Sequence, residues 1–433
     1  MAPARSAALQ VLRAVRRGVL ADRAFEVRAD SLGEADRRLA QELAYGVLRL
    51  RGRLDHMLDP LVRGGIGRLD RDVIDILRLG AYQLLELDRV PAYAAVSDAV
   101  EQAKASAGRG AASLTNAVLR RVSRGYADSI RFPDRASDPV GYLATWGSHP
   151  RWLVERWLAR APLEEVEALV AYNNARPAVH LSVSDSPQEA LQRLRSAGIR
   201  AEPVERVPGS LRVDASAIGR ALGLVRAIVQ DPGAAAVLDY MALDPGARVF
   251  DLCAAPGGKA ALLAARGHEV LAFDIARARL ARIVETRARL VLPRLHVVQA
   301  DSTRPPLRAA EVILLDAPCT GTGTLGRHPD GRWRLDLGDL ERLTGLQRRL
   351  LEGAAAALAP GGLLVYATCS LEPEENEEQV EAFLNRHVDF GLEAPGECRT
   401  SSEFLGADGE LRVNPQRHAM DGAYAARLRH RVG

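Results

Sequence analysis

Lysine is scarce in this chain: of 58 basic residues only Lys104 and Lys259 are lysines, and the rest are arginine. Aromatic residues make up only 5% of 433, so any core must rest on Leu, Val, Ala and Ile. Four cysteines stand without paired or zinc-like spacing, which excludes a disulfide framework and a structural zinc site. No run of about 18 apolar residues is present to span a bilayer. The Arg-rich residues 1–20 lack the apolar centre of a signal peptide. The expectation is a cytoplasmic monomer that binds neither membrane nor metal. Its 47% hydrophobic and 26% charged content is that of a globular chain, and its length exceeds one ordinary domain.

The charge that is present lies unevenly. Residues 1–125 hold 21 Lys+Arg against 15 Asp+Glu, a net +6, whereas the remainder holds 37 against 40, a net −3. A nucleic-acid-facing module concentrates basic charge in this way, and so does a solvated helical surface. Apolar residues recur at helical spacing over 5–19, 34–62, 69–87, 93–107 and 111–124, so an all-α domain is expected over residues 1–128. Residues 126–148 are punctuated as a connector by Phe132-Pro-Asp134 and Asp138-Pro139. The stretch Trp146–Trp157 then opens a helix, with Ser148 as its N-cap and the tryptophans as core anchors. Short strands and one helix, Pro187 to Ala197, alternate from Ala178 to Val229. They indicate a small α/β subdomain within residues 129–235.

From residue 236 strands and helices alternate in the manner of a doubly wound, Rossmann-like α/β domain that runs to residue 433. Its first strand leads into Asp251-Leu-Cys-Ala-Ala-Pro-Gly-Gly-Lys259. Two glycines there let the backbone approach a ligand, and the next helix aims its N–H groups at the same place. The nicotinamide G-x-G-x-x-G pattern is missing from this turn, and no G-K-[ST] phosphate loop occurs, which excludes a dehydrogenase. Asp274 ends the second strand, where a carboxylate can accept both hydrogen bonds of a ribose diol or cap the next helix. Further strands are expected over Leu295–Asp301, Glu311–Asp316 and Gly362–Cys369, with a last one near Ala423–Leu428. A helix preceding Gly362 contains Gln347 and ends at Pro360-Gly-Gly362. The fourth and fifth strands deliver Asp316-Ala-Pro-Cys319-Thr-Gly-Thr-Gly323 and Tyr366-Ala-Thr-Cys369-Ser-Leu-Glu-Pro-Glu-Glu-Asn376.

In order and spacing these three segments resemble motifs I, IV and VI of the RNA cytosine-C5 methyltransferases. The phrases Glu42–Arg49, Ile76–Leu85 and Asn116–Arg121 resemble the NusB-like RNA-binding domain fused to the RsmB-type (Sun/Fmu) members of that family. The same members carry an RNA-recognition-like subdomain before the catalytic one. Their usual Arg-x-Asn is absent from Pro177–Ser182.

The resemblance implies S-adenosylmethionine as cofactor and small-subunit (16S) ribosomal RNA as substrate. The alternatives are a tRNA cytosine methyltransferase or a non-catalytic RNA-binding factor. It implies Cys369 as nucleophile and Cys319 as the group that releases the adduct. Asp316 would stabilise the protonated ring nitrogen, and Lys259 would orient substrate or keep a thiol ionised. The cofactor would lie against Cys253, Ala254, Ala255, Pro256, Gly257, Gly258, Lys259, Asp274, Asp301 and Asp316, with Asp301 reading the adenine edge. Cys253 is expected to serve as small packing, and Cys398 lies beyond the motifs. His328 has no assigned role. The acidic run Glu372–Glu381 is read as helix N-terminal acids favoured by the dipole, not as a metal site.

Overall fold

The computed structural model describes residues 2–184, 186–396 and 400–432, so Cys398 lies outside the described residues. The chain divides into two units: Met1–Arg176 together with Leu325–Arg334, and Pro177–Thr324 together with Leu335–Gly433.

The first unit is helical. Helices Pro3–Arg16, Ala21–Ala29, Glu34–Leu58, Arg71–Glu86 and Ala92–Ser123 close a core around Leu43, Val47, Leu54, Ile76, Leu77 and Leu119. The apolar stripes form helices because side chains at i, i+3 and i+4 are buried together. Residues 92–123 make one run broken only at Gly108, whose φ of +81° leaves the helical region. Gly80 lets two helices touch, since a Cβ there would lie 2.4 Å from Leu119 Cδ1.

Several local features differ from the sequence reading. Helix Ala21–Ala29 buries only three alanines and Phe25, too few apolar side chains to stand out as a period. The connector contains a helix, Pro139–Thr145, started by Asp138, which accepts the Gly141 N–H at 2.8 Å. Ser148 caps nothing: the following helix is Arg151–Leu158 with Pro150 at its N-cap. The Ser148 hydroxyl is buried and accepts the Gly52 N–H at 2.9 Å. Trp157 is a core residue, but Trp146 is 41% exposed, with the Arg53 guanidinium 3.9 Å above its ring.

The second unit holds two sheets. Strands β1 (Val179–Val183), β2 (Ala201–Pro203), β3 (Ser210–Val213) and β4 (Ala227–Val229) form the smaller, antiparallel in the order β2-β3-β1-β4. Helices Pro187–Ser196 and Ile218–Leu224 share its core, the second unforeseen. The larger sheet is built from β5 (Arg248–Asp251), β6 (Glu269–Asp274), β7 (Leu295–Gln299), β8 (Ala310–Asp316) and β9 (Leu358–Thr368). It is completed by β10 (Phe390–Leu392), β11 (Leu411–Val413) and β12 (Ala423–His430).

Its order is β10-β12-β9-β8-β5-β6-β7, with β11 paired to β12; β5 to β9 run parallel and β12 runs antiparallel to β9. Apolar clusters cover both faces, which is why Val312–Leu315 and Leu363–Ala367 read as unbroken apolar runs. The order reverses at β5: β6 and β7 continue to one side, β8 and β9 to the other. The connections after β5 and β8 therefore leave in opposite directions and open a crevice at the carboxyl ends. Helix Leu337–Ala357 stops before Leu358, and Leu358–Gly362 already belongs to β9, not to the helix as expected. Pro360 lacks an N–H and Gly361 has φ +77°, so neither continues a helix.

Candidate active site

The crevice is assembled from the ends of β5, β8 and β9. After Asp251 the chain turns through Gly257 into helix Gly258–Ala265. Gly257 has φ +104°, and a Cβ there would lie 2.8 Å from Ile283 Cγ1, so only glycine fits the turn. Lys259, in the first turn of that helix, places Nζ 2.8 Å from Asp316 Oδ2 at the end of β8. Burial works against the ammonium, but the charge and hydrogen bond of Asp316 outweigh it and raise the lysine above its ordinary value. Lys259 therefore stays charged inside the crevice.

The sequence reading did not single out Asp251, the last residue of β5. It is fully buried and pushed up to about 8, by desolvation first and by the neighbouring Asp316 charge second. The Cys253 backbone N–H lies beside it, yet neither carboxylate oxygen makes a well-formed hydrogen bond. A lone carboxylate ending an apolar strand was the signal that could have found it. The Cys253 thiol is itself pushed up by burial and by Asp251 and Asp316, so it stays protonated and packs against one face of the sheet.

Asp274 is buried at the end of β6. Its Oδ1 accepts the Ala276 N–H at 2.7 Å and the Arg279 guanidinium at 2.8 Å, so it acts as a helix-start acceptor in addition to any ligand role. Asp251, Asp274, Asp316, Lys259 and Cys253 act on one another electrostatically. Asp301 stands apart: it lies beyond the end of β7, exposed, with Oδ1 taken by the Thr303 N–H and hydroxyl at 2.9 and 2.8 Å. Among the turn residues Ala254 is buried, and its N–H donates to the Phe273 carbonyl at 2.8 Å. Ala255 and Pro256 are joined by a cis peptide.

Strands β8 and β9 are parallel neighbours, and the loops beyond them bring Cys319 Sγ to 3.4 Å from Cys369 Sγ. The two thiols are not equivalent. The hydrogen bond to Cys369, then burial, push the Cys319 thiol well up, so it keeps its proton. Cys369 in turn interacts with the Lys259 charge, and a nearby ammonium favours a thiolate. A held proton beside a thiol under positive charge is an arrangement for nucleophilic attack followed by release.

The acidic run after Cys369 divides. Glu377 and Glu378 occupy the first turn of helix Glu377–Arg386, as the dipole reading expects. Glu372 and Glu375 are instead fully buried, and Glu375 turns toward the Cys319 loop. Among the described residues no cluster of three His, Cys, Asp or Glu is arranged to hold a metal. None of their helices is long and apolar enough to cross a membrane. His328 belongs to the helical unit, where its Nδ1 lies 3.0 Å from Asp22 Oδ2.

Comparison with known proteins agrees with this architecture. The family model described as 16S rRNA methyltransferase RsmB/F matches residues 239–429, the NusB family matches 2–124, and the RsmF/B-like ferredoxin-like domain matches 149–217. A probable ribosomal RNA small subunit methyltransferase B of Synechocystis is 35% identical over 99% of this chain and all of that protein. The ribosomal RNA small subunit methyltransferase B of Erwinia tasmaniensis is 35% identical over 98% of this chain and 97% of its own. The crystal structure of PH0851 superposes with a TM-score of 0.79 at 26% identity, covering 99% of this chain and 98% of that one. A NusB domain, a ferredoxin-like domain and an RsmB/F methyltransferase domain are thus matched in turn along the chain. The chain belongs to the 16S rRNA methyltransferase RsmB/F family, and its cofactor is S-adenosylmethionine.

Proposed function

We propose that the protein methylates carbon 5 of a cytosine in small-subunit ribosomal RNA through a covalent bond between Cys369 and carbon 6 of the base. The observation that carries this reading is the 3.4 Å separation of the Cys319 and Cys369 sulfurs at the ends of adjacent parallel strands. Carbon 5 of cytosine is too electron-poor to take a methyl group unaided. Addition of the Cys369 thiolate to carbon 6 pushes the ring electrons onto carbon 5 and makes it nucleophilic. S-adenosylmethionine, when bound, supplies an electrophilic sulfonium methyl. Asp316 stabilises the proton on the ring nitrogen as charge moves, and Lys259 favours the thiolate form of Cys369. As the carbon–sulfur bond breaks, the departing Cys369 sulfur takes up the proton held by Cys319, and the Cys319 sulfur left behind takes the carbon 5 proton, which restores the ring double bond and the Cys319 thiol.

The residues fit the cofactor. Asp251, a buried carboxylate with unmet acceptor capacity, suits the ammonium of its methionine end. Gly257 and Gly258 leave room for close approach, with Cys253, Ala254, Ala255, Pro256, Lys259 and Asp316 lining the turn. Asp274 would hold the ribose diol and Asp301 the adenine edge. Residues 1–128 supply RNA affinity through arginine–phosphate contacts, 129–235 join them to the catalytic residues 236–433, and the enzyme works as a cytoplasmic monomer without a metal. The ribosomal substrate is supported by the names of the full-length relatives.

The test follows each thiol variant on a denaturing gel with RNA and methyl donor. Cys369→Ser should neither methylate nor form a retarded band, because a hydroxyl is a far poorer nucleophile. Cys319→Ser should methylate once and remain joined to its RNA. A stable adduct from Cys369→Ser with none from Cys319→Ser would reverse the two roles. Bisulfite sequencing of RNA from cells lacking the protein should show one small-subunit cytosine unmodified; a loss confined to tRNA would move the substrate.

A further inference from the structure

Both chain neighbours of Cys319 are tied down from one place. Glu375, fully buried in the short turn Pro373–Glu375, accepts the Thr320 backbone N–H on its two carboxylate oxygens at 2.9 and 3.1 Å. It also accepts the Thr320 hydroxyl. Gln347, buried on helix Leu337–Ala357, donates its side-chain amide to Glu375 Oε1 at 3.0 Å and to the Pro318 carbonyl at 2.9 Å. The residues before and after Cys319 are therefore held by one carboxylate–amide pair.

The next residue brackets the other thiol. Asn376 Oδ1 accepts the Thr368 hydroxyl at 2.5 Å, and its Nδ2 donates to the Ser370 carbonyl at 2.9 Å, on either side of Cys369. The Tyr366 hydroxyl donates to the Glu375 carbonyl at 2.6 Å and pins the turn to β9. All these side chains are buried, so a broken bond is not replaced by water and the network enforces one geometry. Glu375 and Asn376 are consecutive, so covalent geometry sets the spacing of the two brackets.

We propose that Glu375 and Asn376 are a positioning pair that registers the two thiols, Glu375 fixing Cys319 and Asn376 fixing Cys369. The proposal rests on the covalent reading above and divides labour within it: Asn376 serves the attack and Glu375 serves the release. Reactions at enforced geometry respond strongly to sub-ångström misplacement of the reacting group.

The test uses the full-length enzyme, in vitro-transcribed small-subunit ribosomal RNA and S-adenosylmethionine. It measures first-turnover methyl transfer, steady-state turnover and the retarded gel band. Glu375→Gln is isosteric, but only its carbonyl end still accepts, so the charge is lost and with it the second oxygen that takes the Thr320 N–H and hydroxyl. Its first turnover should stay within about twofold of wild type while steady-state turnover falls about tenfold and the adduct band accumulates. Asn376→Asp cannot donate to Ser370, so its first turnover should itself fall about tenfold with no band. Thr320→Val, which deletes one donor to Glu375 and keeps the backbone N–H, should show a weaker form of the Glu375→Gln split and decides the matter if that variant does not fold.

A merely structural role would lower both phases in proportion. Proportional loss in these variants, or wild-type behaviour in Glu375→Gln while Cys319→Ser still traps RNA, overturns the positioning pair alone. Methylation by Cys369→Ser with no band from Cys319→Ser would overturn the covalent reading and this proposal with it.

Discussion

Two cations, half-buried Lys259 in the second unit and buried Arg332 in the first, are kept for different reasons. Lys259 in the catalytic crevice has a carboxylate partner, Asp316, and that partner holds it charged. Arg332 in the helical unit is 1% exposed and donates only to neutral oxygens. These are the carbonyls of Arg49 at 3.0 Å, Ser148 at 3.2 Å, Asn173 at 2.6 Å and Leu325 at 3.4 Å, and the Asn174 side chain at 2.7 Å. Burial, then the neighbouring Arg49, push its pKa well down.

A charge is matched where it acts on a reacting group. Where the two terminal nitrogens of a rigid guanidinium are needed to close open oxygens of two helices and two loops, the charge is tolerated. The chain writes arginine nearly everywhere, and the compact ammonium is kept at a motif residue beside the thiols. The guanidinium at 332 is a structural staple. It holds Leu325–Arg334, the stretch that follows the Cys319 loop in sequence, inside the first unit.

Removing the staple should have the largest effect on stability. Arg332→Ala orphans several buried carbonyls, at about 1 kcal/mol or more each, so a destabilisation of about 3–5 kcal/mol is expected by denaturant unfolding. Arg332→Lys should recover only part of it, having three donors in place of five. An Arg332→Ala protein within about 1 kcal/mol of wild type would show that these bonds add little.

Lys259 should show the opposite pattern. Lys259→Ala is expected to slow methyl transfer about 100-fold, the scale for removing one preorganised charge from a reacting site, with little change in melting temperature. Lys259→Arg should not restore the rate, because a planar fork does not replace a compact ammonium. Near-normal turnover in Lys259→Ala would remove the lysine from the chemistry.

Smallest is a third case, in which buried Arg427 and its neighbour Arg429 share Glu393 and lower its pKa to about 2, the Arg429 hydrogen bonds contributing most. A depressed carboxylate stabilises the fold above its unfolded pKa, and the contribution fades as pH falls from about 4.5 toward 2. The stability difference between wild type and Glu393→Gln should be under about 1 kcal/mol at pH 7, because solvent screens a partly exposed pair. It should shrink on acidification through that window; a difference that grew instead would contradict the assigned sign.

Long amphipathic helices such as Arg71–Glu86, and strands such as Glu269–Asp274, were legible because their periodicity is written in consecutive residues. The short helices Ala21–Ala29 and Pro139–Thr145 were not, since each buries too little apolar surface to make a pattern. In the crevice, Cys319, Cys369, Asp316 and Lys259 were legible as motif residues. Asp251 and Glu375 were not: one looked like the end of a strand, the other like one acid among many. Only burial distinguishes Glu375 from Glu377 and Glu378, and burial of a loop side chain depends on what folds over it.

The sequence alone determined the chemistry available at the carboxyl ends of the strands: a glycine turn after β5, thiols after β8 and β9, and an acid closing β6 and β8. These follow from local rules of alternation, turn geometry and residue type. Tertiary structure alone decided which groups meet and in what protonation state. The 3.4 Å thiol contact joins residues 50 apart in sequence, and the Arg332–Arg49 bond joins residues 283 apart. Desolvation and Coulomb interaction depend on distance through space, which local periodicity does not record.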